Sequence, residues 1–127
     1  MIADFKEALL NINPNLLQLG ELRTLQVNLG NKCNQSCAHC HVQAGPRGRK
    51  TMPKEVMKNI INFLQNHKDL CVDITGGCPE LNPDFRFFVE SVCRLTSRTT
   101  VRTNLTVFFE PGLDWVPSWY KQQEVVL

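Results

Sequence analysis

Cys33, Cys37 and Cys40 fall within eight residues, in the run Cys33-Asn34-Gln35-Ser36-Cys37-Ala38-His39-Cys40. The spacing is C-x3-C-x2-C, on one short segment. Three thiolates so placed can hold three corners of a four-iron, four-sulfur cube and leave the fourth iron open. An iron without a protein ligand is available to a substrate or a second cofactor. The spacing therefore predicts a reaction centre rather than an electron carrier, which normally fixes all four corners.

Other readings compete for the same residues. Cys37-Ala38-His39-Cys40-His41 matches the C-x-x-C-H pattern of covalent haem attachment. That chemistry generally goes with export, and it leaves Cys33 unused. Zinc is a second alternative, with the three cysteines and His39 or His41 as a Cys3His site. Structural zinc usually pairs two distant knuckles, whereas these donors share one loop. A cluster of inert thiols is the bland alternative. The iron–sulfur reading accounts best for a long, turn-rich loop ending at Gly45-Pro46 and Gly48. His39 and His41 are then solvent-facing neighbours, or tune the cluster through hydrogen bonds to sulfur.

The elements around the loop follow from periodicity. Leu22 to Leu29 alternates as a strand, with Leu25, Val27 and Leu29 against Thr24, Gln26 and Asn28. Thr51-Met52-Pro53 starts a helix whose Val56, Met57, Ile60, Ile61 and Leu64 form one apolar stripe. Leu70 to Thr75 is a second strand, stopped by Gly76-Gly77. Asn82-Pro83 reads as an N-cap followed by proline at the first helical position, with Phe85, Phe88, Val89, Val92 and Leu95 as the stripe. Thr99 to Asn104 is a third strand. A short helix spans about Leu113 to Tyr120, and Glu124 to Leu127 begins a fourth strand. A short leading helix covers Phe5 to Leu10. Cys71 and Cys93 read as small core residues. Cys78 reads as a filler or as a thiol near the site. Asp73 lies in an apolar strand and needs a partner that the sequence does not name.

Alternating strands and helices imply parallel strands with helices packed on them. The expected class is α/β, an incomplete partial TIM-type (β/α) barrel. Sites in such folds gather at the carboxyl ends of strands. The cysteine loop, Gly76-Gly77 and Asn104 each follow a strand and so share one edge.

The totals narrow the function classes. A net charge of +2 over 127 residues gives no argument for nucleic acid or an acidic membrane. The start lacks the basic and apolar regions of a signal peptide, and no apolar run is long enough to cross a bilayer. A reducing, cytoplasmic setting is expected, where six cysteines suggest metal before disulfides. The basic run Arg47, Arg49, Lys50 and Lys54 reads as a solvated loop.

With the loop, Thr75-Gly76-Gly77-Cys78-Pro79-Glu80 and Arg102-Thr103-Asn104 in view, the chain resembles the radical S-adenosylmethionine (SAM) superfamily. Its signature is this cysteine loop after the first strand, with G-G-E-P and T-N-G elements after the next two. Within that superfamily the chain is similar to proteins associated with arsenosugar biosynthesis, on Thr24 to Gly30, Cys33 to Pro46, Asp73 to Pro83, Asn104-Leu105-Thr106 and Glu110-Pro111-Gly112. Cys78 stands where the superfamily motif has Glu, and Leu105 where it has Gly.

The resemblance implies a [4Fe–4S] cluster held by Cys33, Cys37 and Cys40, with SAM on the open iron. Reductive cleavage of the sulfonium would give methionine and a 5′-deoxyadenosyl radical, which attacks a small-molecule substrate. Gly76 and Gly77 would let backbone approach the SAM ammonium, Glu80 would help recognise it by charge, and Asn104 would bond the ribose or carboxylate. For Glu80 a solvated loop carboxylate is the alternative, and for Asn104 a turn former. An electron donor such as a flavodoxin or ferredoxin is implied. Residues 1–21 are expected to be a leader helix and residues 22–127 the N-terminal part of the core domain, apparently truncated at the C-terminus. A zinc module or an inactive remnant is the alternative function.

Overall fold

The computed structural model describes residues 4–18 and 20–127. The parts of the expected leader at residues 1–3 and 19 lie outside them. Helix α1 (Phe5–Ile12) is capped by Asp4, whose carboxylate accepts the Lys6 N–H at 3.0 Å, and buries none of its residues. Three strands follow, β1 (Thr24–Asn28), β2 (Cys71–Thr75) and β3 (Arg98–Val101). They form one parallel sheet in the order β1-β2-β3. Helices α2 (Lys54–Gln65) and α3 (Phe85–Cys93) make the crossovers, and α4 (Val116–Gln122) follows β3. This is the α/β arrangement the alternation implied, consistent with part of a (β/α) barrel. Beyond α4, Val126 pairs in parallel with Thr100, so the expected fourth strand is present as one bridge on the β3 edge.

The register sorts the side chains into two faces. Val27, Val72, Ile74 and Val101 point into the core with Met57 and Leu64 of α2 and Phe88, Val89 and Val92 of α3. Burying such side chains removes apolar surface from water at about 25 cal/mol per Å². Helix α4 joins through its aromatic side chains. The Phe85 ring meets Trp119 and Tyr120 edge-on, at centroid distances of 5.7 and 6.0 Å. The other face of the sheet carries Gln26, Asp73 and Thr100 in one register row, and among the described residues no helix lines the hollow over it. Cys71 lies on this polar face, half-buried, and not in the core the sequence assigned it. Its neighbours Val72 and Leu70 are buried, and alternation along the strand puts Cys71 opposite them. Cys93 is packed against the core as expected.

Asn82 is not the N-cap that its pairing with Pro83 suggested. Asp84 occupies that position, and α3 begins at Phe85. Asn82 is buried and acts as a latch between three elements. Its Nδ2 donates to Leu29 O at 3.0 Å and Met52 O at 3.1 Å, while Oδ1 accepts the Asp84 N–H at 2.9 Å. Pro53 likewise precedes α2 as its N-cap.

Removing that amide leaves the half-buried Met52 carbonyl without its bond and takes one of two from Leu29 O, which keeps the Met52 N–H. Asn82→Ala is expected to lower unfolding stability by about 1–3 kcal/mol, read as a lower urea midpoint with an unchanged slope. A midpoint equal to wild type would remove the latch from the account.

Candidate functional site

The loop between β1 and α2 is closed at its neck by backbone alone. Lys32 and Gly45 form a parallel bridge, with Cys33 N–H on Gly45 O and Gly45 N–H on Asn31 O, both at 3.1 Å. Asn31 then reaches Lys50 from its N–H and its side chain. Within the neck, Cys40 N–H bonds Cys37 O at 3.2 Å and Gln43 N–H bonds Cys40 O at 3.1 Å. Cys33 is buried, Cys40 half-buried and Cys37 exposed. His39 and His41 are exposed.

The glycine turn after β2 docks on the base of this loop. Gly77 N–H bonds Gly30 O at 3.0 Å and Cys78 N–H bonds Lys32 O at 2.8 Å, continuing the β1–β2 pairing beyond both strands. A Cβ on Gly77 would collide with the Lys32 carbonyl and press on Ala44 at 3.0 Å. The glycine pair therefore seats the cysteine loop, a role the sequence reading did not give it.

Three of the expected site elements meet here. Asn104, just past β3, donates from Nδ2 to Asn34 Oδ1 at 2.8 Å and lies 3.7 Å from Cys33 Sγ. Its Oδ1 accepts the Val107 N–H at 3.1 Å, starting a 3-10 turn at Thr106–Phe109. Thr106 Oγ1 accepts from Asn34 Nδ2 at 3.2 Å and Gln35 Nε2 at 2.9 Å. Asn104 thus ties the loop to β3. Leu105 adopts φ +62°, and Thr106 N–H reaches Asn104 O at 2.7 Å. This is a γ-turn of the rare positive-φ kind, at the position where the resembling motif has glycine.

Glu80 does not join this group as a solvated carboxylate. It is 5% exposed, and its Oε1 accepts the Tyr120 hydroxyl at 2.8 Å. Its Oε2 is buried without a hydrogen-bond partner among the described residues. Burial, then the nearby Glu80 carboxylate, raises the Tyr120 hydroxyl well above its ordinary pKa. Cys78, buried, has its Sγ 3.4 Å from Cys33 Sγ and 3.3 Å from Asn34 Oδ1. Burial pushes its thiol up to about 12, helped by the neighbouring Cys33 and Glu80.

Sulfur chemistry tests whether an iron–sulfur cube fits. Cys33 Sγ accepts the Gln35 N–H at 3.5 Å, and Cys40 Sγ accepts the Ala44 N–H at 3.3 Å. Such donors stabilise thiolates bound to iron. A single tetrahedral ion needs its donors around one point. Among the described residues no three His, Cys, Asp or Glu side chains are gathered that closely. A cube takes its thiolates at separate corners, and this loop offers three on one backbone-closed frame. The residues fit that group.

Comparison with known proteins decides the family. The Radical SAM superfamily model matches residues 27–116. The chain belongs to the radical SAM superfamily. Members bind a [4Fe–4S] cluster and SAM. The subtilosin biosynthesis protein AlbA of Bacillus subtilis is 30% identical over 98 residues, 77% of this chain and 22% of its own length. The candidate peptide biosynthesis protein YydG of the same organism is 32% identical over 69 residues, 54% of this chain and 21% of its own. Mycofactocin maturase MftC of Mycobacterium tuberculosis is 36% identical over 53 residues, 42% of this chain and 14% of its own. The chain thus spans about a fifth of the length of the first two relatives. No helix among the described residues is long and apolar enough to cross a membrane.

The polar sheet face adjoins this edge. Arg102 clamps Asp73, with Nη2 to Oδ2 at 2.7 Å and Nε to Oδ1 at 3.0 Å, and Gln26 Nε2 adds a bond at 3.0 Å. Asp73 thereby gains the partner that the sequence left unnamed. The hollow above holds about 440 Å³ and is also lined by Thr24, Arg98 and Thr100.

Two outcomes follow from this geometry. The Arg102 guanidinium holds the Asp73 carboxyl below its ordinary 3.8. A depressed carboxylate stabilises the fold above the unfolded pKa, and that stability fades as pH falls through the folded value. The gap in urea midpoint between wild type and Asp73→Asn should be full near pH 6 and shrink below about pH 4. A gap independent of pH would contradict the ion pair. Gly77→Ala should displace the cysteine loop and lower the iron retained after anaerobic reconstitution; full retention would show that the turn is not its seat.

Proposed function

We propose that residues 22–127 are the cofactor-binding part of a radical SAM enzyme, with residues 1–21 as its leader. Cys33, Cys37 and Cys40 hold the cluster, and Gly76, Gly77, Glu80 and Asn104 border the SAM side. The observation carrying this is the docking of the glycine turn and Asn104 on the cysteine loop at one sheet edge. When bound, the cluster supplies the electron that splits the sulfonium carbon–sulfur bond of SAM. The chain's own part is to hold three sulfurs, present backbone at the glycine turn, and offer a polar wall. Glu80 contributes from beneath the turn, through Tyr120 and its unpartnered Oε2.

The substrate read from the wall is small and polar. Barrel interiors are commonly filled by branched apolar residues. Here Gln26, Asp73, Thr100 and Arg102 take that face, and such groups suit a hydrogen-bonding ligand. The likeness to arsenosugar proteins makes a small arsenical our first substrate. A second reading, peptide modification, is favoured by the candidate peptide biosynthesis protein YydG and the maturase MftC among the relatives. A flavodoxin or ferredoxin would supply electrons, approaching past the exposed Cys37 and the exposed basic residues Arg47, Arg49 and Lys50. A reducing compartment suits the six free thiols.

Anaerobic reconstitution should load about four irons per chain, and Cys37→Ala should lose them. With SAM and dithionite the loaded chain should release 5′-deoxyadenosine. Iron content unchanged in Cys37→Ala would overturn the cluster assignment. Stimulation of 5′-deoxyadenosine release by a small arsenical, but not by a precursor peptide, would separate the two substrate readings; the reverse would select the peptide.

A further inference from the structure

The glycine turn carries a thiol that the proposed chemistry leaves idle. Cys78 occupies the position where the resembling motif has Glu. Its N–H is fixed on Lys32 O, one residue before Cys33. The two side chains consequently lie side by side, both buried, with sulfurs 3.4 Å apart. Between free thiols that contact can run in either direction. Iron ligation removes the choice. Cys33 binds metal as a thiolate and has no proton to give, so only the Cys78 S–H can donate.

We propose that Cys78 is a positioning residue, whose S–H donates to Cys33 Sγ and raises the reduction potential of the bound cluster. The inference rests on the cluster-binding reading above. Donors converge on this one ligand. Cys33 Sγ accepts from Gln35 N–H, faces Asn104 Nδ2 at 3.7 Å, and has Cys78 at 3.4 Å. Cys40 Sγ accepts the Ala44 N–H, and Cys37 Sγ lies 3.9 Å from the acceptor Gln35 Oε1. Cys78 Sγ also lies 3.3 Å from Asn34 Oδ1, an acceptor shared with Asn104 Nδ2 at 2.8 Å, so its one proton divides between two acceptors. Hydrogen bonds to a ligand sulfur favour the reduced, more negative cluster and so raise its potential. Burial of both sulfurs removes the water that would otherwise substitute for the donor.

The test uses the full chain, reconstituted without oxygen and without SAM, as wild type, Cys78→Ala and Cys78→Ser. Iron is counted first, and the cluster is then poised at graded potentials and read by electron paramagnetic resonance. Equal iron is expected in all three. Cys78→Ala should be harder to reduce by about tenfold in the equilibrium constant, about 59 mV for one electron. Cys78→Ser keeps a donor and should recover most of the shift. Where Cys78→Ala loses its iron, Cys78→Ser decides: a potential near wild type supports the proposal, and a shift of about tenfold or more overturns it. An unmoved potential in Cys78→Ala, equal shifts in both variants, or iron lost from both would overturn it. Wild type that loads no iron would sink the cluster reading, and this inference with it. A loaded wild type with an unmoved Cys78→Ala sinks only the role of Cys78.

Discussion

The site depends on one stretch of backbone pairing. After β1 and β2 end, their pairing continues through Leu29 to Thr75, Gly77 to Gly30 and Cys78 to Lys32. That ladder fixes the cysteine loop against the glycine turn before any side chain is considered. Side-chain geometry follows from it: Cys33 beside Cys78, Asn34 under Asn104, and Asn82 reaching back to Leu29. Buried backbone groups must be paired, so the loop cannot move far without leaving several of them unpartnered.

The sheet separates two kinds of work. Its helix-covered face is apolar and supplies the rigidity. Its other face presents a carboxylate, a guanidinium and amides in adjoining rows. Asp73 is largely covered there and needs partners, which the bidentate clamp of the exposed Arg102 and the Gln26 amide supply. The small rows of Thr24 and Thr100 leave room above it.

Much of this was legible in the residues. Alternation in β1 and β2 and the helical stripes carried enough periodic signal to place the sheet, its parallel sense and both crossovers. The cysteine spacing named the loop. Register was not legible, because which residue of one strand faces which of the next is set by tertiary packing and not by the alternation within either. The Asp73 partner accordingly stayed hidden until β3 was aligned with β2, whereas the face of Cys71 was open to reading from the alternation of Leu70, Val72 and Ile74 against it. Asn82 was misread because Asn before Pro is a sound local cap signal, and only tertiary contacts show its amide engaged elsewhere. Glu80 reads as a SAM-recognising or else a solvated carboxylate, since nothing in its neighbours announces that Tyr120, forty residues on, will cover it.

The Lys32–Gly45 bridge closes the loop without help from any sulfur. Zinc fingers differ, since there the ion itself organises the chain and apo-protein is unfolded. In this protein the neck of the loop is tied by main-chain bonds that no metal ligand supplies, so part of its ordering is offset by backbone pairing.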